Sequence, residues 1–197
     1  MPYNTAILEL QKRIALYEDM SSYEKLYQLM FEPLHKFSYS IVKSEEAAEE
    51  IVSDVFIKIW QIRSRLMEIE NLKVYLFTIA KNFSINYLHK HYKNIPYSID
   101  ELDIEPIVGT GNPEELYISG EVIESIRKAV QELPPQCRLI FQLVKEDGLR
   151  YKEAAAVLNI SALTVRNQLA IAVRRIASVL PAYQQQVINT VSKFSAS

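Results

Sequence analysis

Apolar residues recur along this chain at helical rather than strand spacing. Ile7, Leu10, Ile14 and Tyr17 fall on one face of a short helix that should end before Ser21. Leu26, Met30, Leu34, Phe37 and Ile41 make the stripe of a second helix over about residues 23–42, with Ser22 as its cap and Pro33 as an expected kink. Ser44 is placed to cap a third. Its buried seam reads Ala48, Val52, Val55, Ile59 and Ile62, and Glu45, Glu46, Glu49 and Glu50 crowd its first turns, where the helix dipole favours acids. A loop at Ser64–Glu70 leads to a fourth helix, capped by Asn71, with Leu72, Leu76, Ile79, Phe83 and Tyr87 inward.

Helical period is lost at about residue 94. Pro96, Pro106 and the run Gly109-Thr110-Gly111 break the chain there, and the segment reads as extended. Pattern resumes after Asn112-Pro113, a cap followed by proline at the first helical position. Pro134-Pro135 and Gly148 mark the next boundaries. Two short helices follow, 151–158 and 162–178, with Asn159-Ile160-Ser161 between them, and the tail from Pro181 has weak period. The expected fold is therefore all-α, with two small helical domains. An extension over 1–20 precedes a helical bundle over 21–93; an acidic linker over 94–113 joins it to a helix-turn-helix domain over 114–180, and residues 181–197 form a tail.

Composition narrows the function. The chain has four glycines in 197 residues and neither glycine nor proline between residues 34 and 95, which suits packed helices and disfavours a sheet. The single cysteine, Cys137, excludes an internal disulfide or a thiolate metal cluster and reads as a small core residue. No apolar run is long enough to span a membrane, and the first residues lack a basic start and apolar core, so a cytoplasmic location is expected. No Ser/His/Asp set, phosphate-cradling glycine loop or HExxH pattern is present, and Glu46 with Glu50 makes an ordinary helix face. No enzymatic activity is expected. His89 and His91, two apart on a helix, point in different directions, so neither a metal nor any other cofactor is expected.

Charge adds what composition hides. The formal net charge is −2, but it divides into −4 over residues 1–60, +4 over 61–93, −8 over 94–125 and +6 over 126–197. Two basic blocks around an acidic stretch suggest two polyanion-facing modules and a linker.

The second module has the form of a DNA-binding helix-turn-helix. Ala154 and Ala155 allow a close crossing, Asn159 tolerates the left-handed turn, Ile160 can plug the angle and Ser161 can cap the second helix. Val165, Leu169, Ala172 and Ile176 point inward, which turns Leu163, Asn167, Ala170 and Arg174 outward with Arg166 on the flank. The start of such a helix enters the major groove, so Arg166 and Asn167 suit bases while Lys152 and Arg174 suit phosphates. Upstream, residues 72–93 interleave Tyr75, Phe77, Phe83, Tyr87 and Tyr92 with Lys73, Lys81, Asn82, Asn86, Lys90 and Lys93, the mixture that holds unstacked bases.

Taken together these residues resemble an extracytoplasmic-function sigma factor of bacterial RNA polymerase. The segment from Ala48 through Glu49, Glu50, Ile51, Val52, Ser53, Asp54, Val55, Phe56, Ile57, Lys58 and Ile59 to Trp60 is similar to the helix that grips the polymerase clamp. Leu72 through Asn82 is similar to the helix that binds the minus-ten element. The stretch from Leu133-Pro134-Pro135 to Ala155 is similar to the start of the minus-thirty-five domain, whose recognition helix would begin at Ser161. The resemblance implies core-polymerase contacts at Glu50, Asp54, Ile57, Lys58 and Trp60. It implies minus-ten DNA contacts at Lys73, Tyr75, Lys81, Asn82, Asn86 and Lys90. Minus-thirty-five contacts are expected at Lys152, Ser161, Thr164, Arg166, Asn167 and Arg174.

The implied partners are core RNA polymerase, promoter DNA (duplex upstream, melted downstream) and an anti-sigma factor, with no insertion into a membrane. The loop at Ser64–Glu70 is where related factors capture a base flipped from the non-template strand. Leu163, Ala170 and Ile171 stand where relatives often carry polar or basic residues, so thymine methyl groups are candidate contacts. A free-standing dimeric helix-turn-helix regulator is the alternative; it explains residues 114–178 but leaves the two upstream helices without a role.

Overall fold

The structure, a computed structural model, describes residues 2–91 and 120–179, all helices and short connections with no strand among them. The expected linker over 94–113, the Asn112-Pro113 start signal and the tail 181–197 lie outside these residues.

The first four helices are α1 (Pro2–Tyr17), α2 (Met20–Val42), α3 (Glu45–Gln61) and α4 (Leu72–His91). Asp19 rather than Ser22 caps α2: its carboxylate accepts from the backbone N–H of Ser21 and Ser22, while the Ser22 hydroxyl donates to it at 2.9 Å. An ionised carboxylate at this end also complements the helix dipole, so it displaces the hydroxyl as cap. The helix runs through Pro33 to Val42 and stops at Lys43 in the left-handed region. Ser44 caps α3 by accepting from the Ala47 N–H at 3.2 Å, and Asn71 caps α4 by accepting from the Val74 N–H at 3.1 Å. The expected loop after α3 is a 3₁₀ turn, Arg63–Glu68.

Leu26, Met30, Leu34 and Phe37 of α2 are fully buried against Ala48, Val52, Val55 and Ile59 of α3 and Leu76 and Phe77 of α4, in one core. Phe37 meets Phe77 edge-on, ring centroids 5.3 Å apart.

The remaining helices are α5 (Gly120–Gln131), α6 (Pro135–Phe141), α7 (Tyr151–Leu158) and α8 (Ala162–Ser178). Arg138 ties α6 to the end of α5, donating to the carbonyls of Val130 and Leu133 at 3.2 and 2.8 Å, as well as to that of Gln131. A π-helical turn, Gln142–Glu146, extends α6, and Gly148 then reverses the chain at φ +68°. Cys137 is buried and its thiol pKa is pushed up, chiefly by burial.

The two halves pack on each other. α4 lies against α7, and residues from Leu139 through Leu169 belong to the same apolar core as α2, α3 and α4.

Candidate nucleic-acid and partner interfaces

Three surfaces carry the side chains singled out in the sequence. On α3 the inward seam leaves Glu50, Asp54, Ile57 and Lys58 exposed together, with Ile57 53 % exposed. Trp60 closes this row and is half-buried. Tyr23 of α2 packs edge-on to it at 5.0 Å, and the Arg63 guanidinium lies over its ring at 4.8 Å while donating to the Trp60 carbonyl at 3.0 Å. Arg63 is in turn paired with Glu18 at 3.2 Å. Sequence inspection missed Arg63 and Tyr23 as supports of Trp60; the Trp-x-x-Arg spacing was the available signal for the first.

The six α4 residues do not share one surface. Tyr75, Asn82, Asn86 and Lys90 fall on one side of the helix, the last three exposed. Lys73 and Lys81 lie on another side and are each only 8 % exposed. The expected single seam is in fact two: besides Leu72, Leu76 and Ile79, the row Lys73, Phe77, Ala80, Lys81, Ser84 and Leu88 is buried. Phe83 and Tyr87, expected inward, are half-buried. Lysine stems cover apolar surface readily, and the second half of the chain lies against Lys73. The Lys73 ammonium donates to the Asp147 carbonyl, and burial lowers its pKa against the opposing pull of Asp147 and Glu153. Burial lowers that of Lys81 too.

This junction is polar as well as apolar. Asn71 donates to the Glu153 carboxylate at 3.0 Å. Glu153 also accepts from the Arg150 N–H at 2.7 Å, at the start of α7, and pairs with the Arg150 guanidinium at 2.7 Å. Desolvation pushes the Glu153 pKa up, but these bonds outweigh it and hold the group below its ordinary value. Asp147 is the unsatisfied member: its Oδ2 is shut off from solvent without a hydrogen-bond partner. Desolvation, opposed by Lys73 and Lys36 and assisted by Glu146, raises its pKa to about 7.

The third surface is α8. α7 and α8 meet at 105°, Asn159 turns the chain at φ 58° and Ser161 caps α8 by accepting from the Thr164 N–H at 2.9 Å. That is the crossing a DNA-binding helix-turn-helix uses. Val165, Leu169, Ala172 and Ile176 are buried as expected, and Lys152, Arg166, Asn167 and Arg174 are exposed. The hydroxyls of Ser161 and Thr164 are 2.8 Å apart and hydrogen-bonded to each other, so both are engaged in the cap. Leu163 and Ile171 are exposed beside them.

Comparison with known proteins accounts for this arrangement. Residues 26–93 match the family model for Sigma-70 region 2 and residues 123–176 match that for Sigma-70, region 4, together more than half of the chain. The chain is 26% identical over 146 residues to the ECF RNA polymerase sigma factor SigM of Bacillus subtilis, covering 74% of this chain and 87% of that one. The chain belongs to the extracytoplasmic-function sigma factors.

Similarity extends to the ECF RNA polymerase sigma-E factor of Escherichia coli K12, 28% identical over 127 residues, or 61% of this chain and 66% of that protein's length. Among solved structures, CnrH in complex with the cytosolic domain of CnrY has TM-score 0.58 at 17% identity, covering 88% of this sigma factor and 96% of that chain. RpoE of Bartonella quintana in complex with the anti-sigma factor NepR has TM-score 0.58 at 21% identity, covering 81% and 97%. These two share the fold. The activity of this sigma factor is that of an alternative sigma factor in transcription initiation. Among the described residues no single helix is long and apolar enough to cross a membrane.

Proposed function

We propose that residues 21–93 bind core RNA polymerase and the melted downstream promoter element, and that residues 114–180 bind the duplex upstream element. The chain supplies no catalysis of its own and works in the cytoplasm. The observation that carries this reading is the pair of unlike solvent-facing rows: acidic and apolar on α3 (Glu50, Asp54, Ile57), polar and basic on α8 (Arg166, Asn167, Arg174). The first suits a protein surface with basic and apolar groups, the second a DNA groove.

On α4 the melted strand meets the open side, Tyr75, Asn82, Asn86 and Lys90, with the turn Arg63–Glu68 receiving an unstacked base. Lys73 joins them only when the two halves separate, so the packed arrangement is that of the factor before it engages the promoter. An anti-sigma factor is the further partner, as RpoE of Bartonella quintana has in NepR.

The testing experiment is competition. Core polymerase freed of its housekeeping sigma should bind the chain one-to-one and release it when that sigma is added. Asp54→Ala and Trp60→Ala should each weaken binding about tenfold, for about 1.4 kcal/mol, while circular dichroism stays that of the parent. A dimer that ignores polymerase and binds a palindrome would replace this reading with that of a free-standing regulator.

The α8 row gives a second expectation. Replacing single thymines of the upstream element by deoxyuridine removes only a methyl group. At a position touched by Leu163 or Ile171, binding should fall roughly fourfold, for about 0.8 kcal/mol per buried carbon. Leu163→Ala should abolish its share of that sensitivity. If no thymine shows a methyl effect, α8 reads its site by polar groups alone.

A further inference from the structure

The inward seam of α1 is Ile7, Gln11 and Ile14, three, two and zero per cent exposed. A buried amide between two isoleucines is unfavourable unless its hydrogen bonds are made, and a leucine would fill the place without that penalty. Gln11 makes them both to one short stretch. Its Nε2 donates to the Leu66 carbonyl at 2.6 Å and to the Ile69 carbonyl at 2.8 Å. Both amide protons are thereby committed, one on each side of Met67 and Glu68.

The turn so held presents side chains of different chemistry to solvent. Its buried anchor is Leu66, fully shielded, while Met67 is 45 % exposed and Arg65 and Glu68 pair at 2.8 Å on the surface. Internally the turn is closed by the Ile69 N–H bonding the Leu66 carbonyl at 3.1 Å. Without Gln11 that carbonyl keeps only this internal bond and the Ile69 carbonyl loses its donor, so the backbone on either side of Met67 is less firmly held. α1 lies before the residues matched by the region 2 family model, so the tie couples an element outside that match to a turn inside it.

We propose that Gln11 is a positioning residue for base selection: it fixes the Arg63–Glu68 turn so that Met67 and its neighbours discriminate one unstacked base of the melted promoter strand. This rests on the reading above that the turn meets that strand. The energy of extruding a base is recovered only at a pocket already in shape, and a less firmly held backbone would accept several bases with similar affinity.

The test uses holoenzyme assembled from core polymerase and the full chain, on promoter DNA forked so that the downstream element is unpaired. Abasic substitution along the non-template strand first locates any position that needs a base. At that position, discrimination is read as the affinity ratio between the preferred base and the other three. Gln11→Met keeps the length and packing of the side chain and removes both donors. Discrimination should fall at least fivefold, while competition for core polymerase and the melting profile stay close to the parent's. Met67→Ala, a surface change without effect on folding, should lose discrimination at the same position.

An unchanged ratio in Gln11→Met beside a reduced one in Met67→Ala would overturn the role of Gln11 and leave the turn as the reader. A uniform loss of affinity for all four bases would make the tie structural only, and likewise overturn it. If the parent holoenzyme shows no position sensitive to abasic substitution, the reading of the turn fails and the proposal falls with it.

Discussion

Asp147→Asn is expected to stabilise the protein, and by more at about pH 8 than at about pH 5. Asp147 sits between the halves, with Lys73 of α4 and Lys36 of α2 attracting its charge and Glu146 opposing it. Its Oδ2 finds no partner there. Desolvation dominates and raises its pKa from 3.8 to about 7. The packed state therefore keeps a proton that the solvated state loses from about pH 4 upward, and stability of the packed state falls with rising pH until about pH 7. At roughly 1.4 kcal/mol per pKa unit the penalty approaches about 4 kcal/mol at pH 8 and is about 2 kcal/mol at pH 5. Asparagine has the same shape and no charge to desolvate. Urea midpoints of parent and variant at the two pH values measure the gap. A gap of equal size at both would mean that the carboxylate is already solvated and that burial does not set its proton affinity.

The same sign applies to separating the halves without unfolding either. Exposing Asp147 to water relieves the penalty, so alkaline conditions favour the separated arrangement and Asp147→Asn favours the packed one. Function enters here, because the packed arrangement holds Lys73, on the helix proposed to meet the melted strand, against the second half.

How far these features were legible beforehand depends on the range of the interaction. The helix-turn-helix was readable to the residue, 151–158 and 162–178, because its signals are local. A left-handed Asn159, a Ser161 cap three residues before Thr164 and the Val165–Leu169–Ala172–Ile176 seam all act within one or two turns. The cap of α2 was misread by three residues, since Asp19, Ser21 and Ser22 can all cap a helix and their order of preference is set by charge as well as geometry.

α4 was misread more deeply. A lysine between aromatic residues looks like a solvated cation, and nothing near Lys73 in sequence announces that the backbone carbonyl of Asp147, seventy-four residues on, will accept a hydrogen bond from it. Gln11 failed for the same reason: its partners lie fifty-five and fifty-eight residues away. Periodicity reports how many faces are apolar; it does not report which polar groups will be buried by a distant segment with matching acceptors.

Joining the halves covalently should suppress promoter-directed transcription at least a hundredfold while sparing polymerase binding. Asn71 and Glu153 touch across the junction at 3.0 Å, neither lies among the proposed DNA or polymerase contacts, and both reach the edge of the interface. Cysteines at these two positions can be bridged by a short bis-maleimide. Cys137 needs no replacement, being buried with a thiol pKa above its ordinary value and hence little thiolate. The same double variant capped by a single-headed maleimide carries the substitutions without the bridge and isolates the effect of tethering. In the bridged chain Lys73 stays against the second half, so α4 cannot add its charge to the strand. α8 is also held at a fixed place relative to α4, whereas the two promoter elements impose their own spacing. The α3 row, exposed in the packed arrangement, remains available to polymerase. Equal transcription by bridged and capped chains would show that the packed arrangement already binds the promoter, and would remove Lys73 from the minus-ten surface.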